Sequence, residues 1–150
     1  MILVDADACP VKQEIIRVAL RHTCPVRFVA NQGLRLPDHP LITMAVVDAG
    51  FDAADDAIAE AAGPDTLVIT ADILLADRCL KSGAQVLDHK GQAFSQASIG
   101  AQIATRAIMA DLRAGLDGQG VGGQRPFSQK DRSQFLNALE NALRKLPRAG

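Results

Sequence analysis

Aspartates recur where the apolar runs of this 150-residue chain give way to turns or helices. Asp5 ends the run "ILVD" and Asp7 follows two residues later. Asp72 comes two residues after "TLVIT", and Asp55 and Asp56 lie early in "DAADDAIAEAAG". Carboxylate oxygens are hard ligands that suit Mg²⁺ or Mn²⁺, ions that keep several waters and bind phosphate oxygens. Such ions activate water and stabilise an in-line displacement at phosphorus. The acids therefore predict metal-dependent phosphodiester chemistry.

Most of these acids also have an ordinary structural explanation. Asp52 with Asp55 three residues later is a capping arrangement, and Asp72 can cap the helix that follows it. Asp5 is different, because a carboxylate at the inner end of a buried strand needs a partner or a cation. We therefore expect Asp5 to be the central metal-binding acid.

The hydrophobic pattern predicts an α/β fold. Short apolar runs predict strands at 2–5, 25–31, 41–47, 66–70 and 84–88, although the length of 41–47 leaves a helix open. Helical patterns lie between them at 11–22, 52–63 and 72–83. This alternation implies a mostly parallel sheet of about five strands with helices on both faces. Ligands bind at the carboxyl edge of such sheets, so we expect Asp5, Asp56 and Asp72 to lie within reach of one metal ion.

Residues 99–146 are predicted to form a helical C-terminal portion of a single domain that spans 1–150. A glycine-rich stretch at 116–125 interrupts it and indicates a mobile linker. No strand precedes that stretch and no Gly-Lys-Ser/Thr closes it, so it is not a phosphate-binding loop. The last helix is predicted to open at Ser128, with Asp131 completing a capping box.

The charge of the chain is unevenly distributed. Residues 1–99 contain 13 acidic and 8 basic residues, a balance of −5, whereas residues 100–150 contain 4 acidic and 8 basic residues, a balance of +4. The basic portion is either ordinary solvated surface or an arm that holds RNA beside the acids. For the second case we expect phosphate contacts from Lys12, Arg106, Arg113, Arg125, Lys130 and Arg132.

Three scattered cysteines without a C-x-x-C pair argue against disulfides and against a structural zinc site. Cys9 lies beside a helix start, where a thiolate is favoured, so thiol chemistry there stays an alternative. No run approaches the roughly 18–20 apolar residues of a membrane span, and no signal peptide is evident. We expect a cytoplasmic protein without a membrane partner, of undetermined oligomeric state.

Five stretches together resemble the YaiI/YqxD family of uncharacterised bacterial proteins. They are "DADACPVK", "GFDAADDAI", "VITADILLA", "IGAQIATR" and "RPFSQKDRSQF", and the resemblance runs from residue 1 to about residue 146. This family is grouped with PIN-like domains, which are typically Mg²⁺- or Mn²⁺-dependent ribonucleases built on a parallel sheet.

The resemblance implies a role for each acid. Asp5 would be the first PIN acid, Asp56 the helix acid with Asp55 as an accessory, and Asp72 the acid after the strand. PIN nucleases usually carry a further helical Glu, and the only Glu before position 55 is Glu14, in the first predicted helix. The resemblance therefore leaves Asp7 as the substitute for the helical Glu of PIN nucleases.

Two functions follow. The first is a divalent-metal-dependent ribonuclease, and the second is a non-catalytic RNA-binding or regulatory module whose metal site is incomplete. The order of motifs differs from those of haloacid-dehalogenase-like phosphatases and of phosphate-receiver domains, so both of these classes are excluded. An aromatic content of 3%, without Trp or Tyr, argues against base stacking as the main mode of RNA binding.

Overall fold

A computed structural model describes residues 1–7, 9–48, 50, 52–115 and 127–147, which form five strands and five helices. The strands are β1 (Ile2–Asp5), β2 (Val26–Ala30), β3 (Ile42–Val46), β4 (Leu67–Ile69) and β5 (Gln85–Leu87). The helices are α1 (Lys12–Arg21), α2 (Ala53–Ala61), α3 (Ile73–Lys81), α4 (Gln96–Gly115) and α5 (Gln129–Lys145). The glycine-rich loop predicted at 116–125 lies outside the described residues.

The five strands form one parallel sheet in the order β3-β2-β1-β4-β5. This confirms the predicted α/β class, and it shows that the segment around 42–46 is a strand rather than a helix. The central strands β1 and β4 are continuous apolar runs whose first three residues are fully buried, as expected for a sheet covered on both faces. From β1 the chain builds outward to β3, then returns to β4 on the other side of β1. The topological switch point therefore lies between β1 and β4.

Helices cover both faces of the sheet and enclose two hydrophobic cores. Ile2 and Val4 of β1 point to the face covered by α1 and α5, where Phe28 and Phe135 are fully buried. Leu3 points to the opposite face, which is covered by α2, α3 and the start of α4. The alternation of side chains along β1 produces this division. The two helices of the C-terminal portion thus pack on opposite faces.

The helix ends test the predicted caps. Ser128 and Asp131 form the capping box of α5, as predicted. At α2, however, the side chain of Asp52 makes no capping hydrogen bond. The capping explanation for the pair Asp52 and Asp55 is therefore wrong.

Two further predictions concern the state of the cysteines and membrane-spanning helices. Cys9, Cys24 and Cys79 are free, as expected. Within the described ranges, no helix combines the length and apolar character needed to cross a membrane.

Candidate active site

One buried hydroxyl joins the ends of the two central strands at the switch point. Asp5 is the last residue of β1, and Thr70, fully buried, follows β4. Thr70 Oγ1 donates a hydrogen bond to Asp5 Oδ2 at 2.9 Å and accepts one from the backbone N–H of Asp72 at 3.0 Å. The ligand crevice of an open α/β sheet lies outside the strand ends at this point. Thr70 therefore fixes Asp5 and the turn of Asp72 at the position where a ligand is expected.

Asp72 has a structural role as well. Its Oδ1 accepts hydrogen bonds from the backbone N–H groups of Leu74 at 2.9 Å and Leu75 at 3.3 Å, which caps α3. The capping explanation is thus correct for Asp72. Both capping bonds end on Oδ1, so capping leaves Oδ2 of this carboxylate for another partner.

The charges of three carboxylates act on Asp5 near the switch point, and we call Asp5, Asp7, Asp55 and Asp72 the acidic edge. The pKa of Asp5 is raised to about 6, mainly by burial and further by the charges of Asp55, Asp7 and Asp72, while the hydrogen bond from Thr70 lowers it. Burial and then the charge of Asp72 also raise the pKa of Asp55. None of the ion pairs within the described residues involves the acidic edge. The positive charge of Arg78 lowers the pKa of Asp55, however, so the negative charge of the acidic edge is partly offset at that residue.

Asp56, the expected helix acid, is engaged elsewhere. It is exposed, and its Oδ1 pairs with the Arg78 guanidinium at 2.9 Å. Across the described ranges, no group of three or more Asp, Glu, His or Cys side chains is close enough to hold a metal ion together. The prediction that Asp5, Asp56 and Asp72 lie within reach of one ion is therefore wrong. Asp55, expected only as an accessory, is the helix acid whose charge acts on Asp5.

The chemistry of the acidic edge still fits a hard divalent cation. Mg²⁺ is commonly bound by one or two carboxylates, with waters and substrate phosphates completing its octahedron. Asp5, fixed by Thr70, supplies such an oxygen, and a cation would relieve the repulsion that raises its pKa. The donor set thus fits a site that substrate completes, not an all-protein cage.

Five of the six basic residues expected to contact phosphate divide into three groups. Arg106 and Lys130 are exposed on α4 and α5. Lys12 is half-buried and donates from Nζ to the Cys9 carbonyl at 3.0 Å. Arg125 and the side chain of Arg113 lie outside the described residues.

Arg132, the sixth of these residues, is held by three contacts within the protein. Its Nη1 donates to Glu14 Oε1 at 2.8 Å and to the Pro10 carbonyl at 3.1 Å, and its guanidinium lies 5.0 Å from the centre of the Phe127 ring. These contacts tie α5 to the loop that leads from the acidic edge into α1. Arg132 therefore has a structural role that its sequence position did not indicate.

The alternative of thiol chemistry at Cys9 loses its physical basis. The side chain is buried, and burial raises the pKa of the thiol more than Lys12 lowers it. A thiol with a raised pKa is a poor nucleophile at neutral pH. The structure therefore favours a packed, protonated Cys9 over the thiolate of this alternative.

Two features of the site were not predicted from the sequence. Thr70 had a local signal in "VITAD", a threonine that ends a strand two residues before an aspartate, which is a pattern typical of a hydroxyl that bonds a nearby N–H. The contact of Glu14 with Arg132 joins residues that are 118 positions apart, and no local pattern indicates it.

The fold and site define a class: an open parallel α/β protein with several carboxylates near its switch point. The chain belongs to the YaiI/YqxD family, described as "Uncharacterized BCR, YaiI/YqxD family", whose pattern matches residues 3–145. This confirms the family assigned from the sequence motifs. Whether the fold is PIN-like stays a prediction.

Relatives of this chain share almost its full length. A UPF0178 protein of Jannaschia sp. (strain CCS1) is 68% identical over 146 residues, which covers 97% of this chain and 94% of the relative. A UPF0178 protein of Sphingopyxis alaskensis is 64% identical, covering 99% and 96%. One of Nitrobacter winogradskyi is 54% identical, covering 97% and 92%. No solved structure gives a significant match.

Proposed function

We propose that the protein is a divalent-metal-dependent nuclease that hydrolyses phosphodiester bonds of RNA. The observation that carries this proposal is the placement of Asp5. It is a largely buried carboxylate at the carboxyl end of the central strand, hydrogen-bonded by Thr70 and surrounded by the other carboxylates of the acidic edge. Keeping such a group without a cation is unfavourable, because burial and repulsion both oppose its charge.

Three carboxylates of the acidic edge and the hydroxyl of Thr70 take distinct roles in this proposal. Asp5 and Asp72 would hold Mg²⁺ or Mn²⁺ together with the substrate phosphate, and the negative charge of Asp55 would favour the cation. Thr70 holds the Asp5 carboxylate and the turn of Asp72 in fixed positions relative to each other through its two hydrogen bonds. When bound, the ion supplies activation of water and stabilisation of the charge that develops on the phosphate oxygens.

The topology and the resemblance support the same function. Asp5 and Thr70 flank the switch point, where open α/β proteins bind their ligands. The YaiI/YqxD motifs resemble those of PIN-like domains, whose members cleave RNA with Mg²⁺ or Mn²⁺. Fold alone does not establish an activity, so the proposal depends on the acidic edge itself.

The direct test is cleavage of a fluorescently labelled single-stranded RNA with Mn²⁺, with Mg²⁺ and with EDTA. We expect cleavage that requires the metal and that falls about 100-fold or more in the Asp5→Asn variant, since one charged ligand is lost. The matched control is Asp38→Asn, which removes an exposed carboxylate of a loop. Equal activity of the Asp5 variant and the wild type would overturn the proposal.

A second candidate function is a non-catalytic RNA-binding module. Two observations favour it: Asp56 is paired with Arg78, and the described residues contain no group of three potential ligands close enough to hold a metal ion. This candidate predicts RNA binding that is unchanged by Asp5→Asn and no metal-dependent cleavage by the wild type. The same assay, read together with a binding measurement, therefore separates the two functions.

A further inference from the structure

A cavity of about 810 Å³ opens beside the acidic edge, between the start of α3, the segment 92–94 and the middle of α4. Ile73, the first residue of α3, lines it and directly follows Asp72. The volume lies within the range of about 300–1,000 Å³ that is typical of small-molecule sites. The cavity is thus large enough for a nucleotide and adjoins the candidate active site.

The lining of the cavity combines apolar surface with hydrogen-bonding groups. Its apolar side chains are those of Ile73, Phe94 and Met109. Phe94 is half-buried, whereas Phe28 and Phe135 are fully buried in the core and Phe127 lies beneath Arg132. Among the phenylalanines that the structure describes, Phe94 is therefore the one available to contact a ligand at this edge of the sheet.

The polar side of the cavity is formed by α4. Gln102, Thr105 and Arg106, at positions i, i+3 and i+4, line it from one face of this helix. Thr105 Oγ1 donates to the Ala101 carbonyl at 2.9 Å, so its remaining capacity is that of an acceptor. Arg106 is exposed and takes part in none of the ion pairs formed within the described ranges. An amide that both donates and accepts, next to a guanidinium, suits a base edge and a phosphate.

We propose that this cavity binds one nucleotide of single-stranded RNA, adjacent to the phosphodiester at the acidic edge. The base packs against Phe94 and Met109, the Gln102 amide contacts its polar edge, and Arg106 contacts a phosphate. Unstacked bases held by apolar side chains and read along their edges are typical of single-stranded RNA recognition. This inference rests on the proposed function, because RNA was chosen as the ligand from the proposed nuclease activity.

The experiment measures nucleotide binding without catalysis. The Asp5→Asn variant, free of metal, is titrated with each of the four nucleoside 5′-monophosphates and with ribose 5-phosphate, and amide chemical shifts are followed by NMR. We expect shifts at 73, 92–94 and 102–109, and weaker binding of ribose 5-phosphate than of the nucleotides. Adding Arg106→Gln should weaken nucleotide binding about tenfold, because a charge-assisted contact is lost. The control Arg17→Gln, an exposed site on α1 across the sheet, should leave binding unchanged.

Each failure has its own meaning. Absence of shifts around the cavity, or equal binding of ribose 5-phosphate and the nucleotides, would overturn the nucleotide site. Unchanged binding in the Arg106→Gln variant would overturn the assigned phosphate contact. Nucleotide binding at the cavity, with no RNA cleavage by the wild type in Mn²⁺, would support the site and overturn the nuclease function.

Discussion

Asp5 is the residue in which the chemistry of the site and the stability of the fold oppose each other. Burial and three neighbouring carboxylates raise its pKa to about 6 from an ordinary value of 3.8, so its charge is unfavourable in the folded state. A structural residue at this position would be neutral or apolar. Residues that act on a ligand frequently retain such a cost, since the ligand relieves it.

The first prediction concerns the pH dependence of stability. Between pH 3.8 and about 6 the unfolded chain loses the proton of Asp5 before the folded chain does, so stability falls over this range and stays reduced above it. Asp5→Asn should therefore raise the melting temperature at pH 7.5 by about 2–6 °C, and the gain should vanish near pH 4. Thermal unfolding followed by circular dichroism at both pH values measures this. A gain of equal size at pH 4 would show that the charge is not the cause.

The second prediction concerns the hydroxyl of Thr70. Thr70→Val keeps the shape of the side chain but removes the hydrogen bonds to Asp5 and to the N–H of Asp72. We expect a loss of about 1–3 kcal/mol in the free energy of unfolding, since two buried polar groups lose their partner. The pKa of Asp5 should rise further, because the lost bond had lowered it. Urea unfolding gives the first value, and NMR titration of the Asp5 carboxyl gives the second. Thr70→Ser, which keeps the hydroxyl, is the matched control, and a loss equal to that of Thr70→Val would refute the argument.

At the scale of elements, α5 holds the first helix at both of its ends. Arg132 contacts Glu14 and the Pro10 carbonyl near the start of α1, and Glu140 pairs with Arg21 and His22 at its end. The start of α1 follows the loop that carries Asp7, so α5 supports this loop from the face of the sheet that α1 and α5 cover. The C-terminal helix is therefore part of the scaffold as well as a source of positive charge.

The third prediction tests this support. Glu14 Oε2 is buried and has no hydrogen-bond partner in the described ranges, so Arg132→Gln leaves a largely buried carboxylate without its cation. We expect a loss of about 1–3 kcal/mol in the free energy of unfolding. The double variant Glu14→Gln/Arg132→Gln should be more stable than Arg132→Gln alone, because the uncompensated charge is gone. Denaturant unfolding of both variants is the measurement. A double variant no more stable than the single variant would mean that packing, not charge, explains the loss.

The fourth prediction concerns the loop between β5 and α4, where Gly91 lies against α5. Gly91 has φ +86°, and a Cβ there would lie 2.6 Å from the Gln134 carbonyl oxygen and 3.0 Å from Ala138 Cβ. Because helix backbone cannot easily yield, Gly91→Ala should destabilise the protein by about 2 kcal/mol or more. Gly100→Ala, in α4 with open space around the added Cβ, should instead stabilise it by about 0.5–1 kcal/mol. Denaturant unfolding of both variants measures these changes in stability. Equal effects at the two glycines would contradict the close packing of Gly91 against α5.

Local patterns indicated the elements of this fold, but not which side chains would meet. Apolar runs and caps predicted the five strands and the start of α5, since these features depend on neighbouring residues. Asp55 and Asp56 are adjacent in α2, about 100° apart around the helix axis, and only packing decided that Asp55 acts on Asp5 while Asp56 pairs with Arg78. The same holds for Arg132, whose partner Glu14 is distant in sequence.

At the scale of the whole molecule, charge is separated between an acidic edge and basic helices. Under the proposed function, the acidic edge would repel phosphate until a cation binds, whereas the exposed basic side chains of α4 and α5 would attract it at long range. RNA affinity should therefore depend on the divalent metal and on monovalent salt through different residues. Two basic residues of α5 provide a matched pair, because Lys130 is exposed and Arg132 is held by Glu14.

The last prediction uses this pair. If Lys130 contacts RNA phosphate, Lys130→Gln should lower the slope of log affinity against log salt by about 0.7, the value for one contact with a single strand. Arg132→Gln should leave the slope unchanged, since its guanidinium already neutralises Glu14. In the absence of metal, Asp5→Asn should bind RNA more tightly than the wild type, and adding Mg²⁺ should close the difference by relieving repulsion in the wild type. Fluorescence anisotropy with a labelled RNA over a series of salt concentrations measures all three effects. Equal slopes for Lys130→Gln and the wild type would mean that the positive balance of residues 100–150 is ordinary surface charge, and that phosphate contacts come from elsewhere in the molecule.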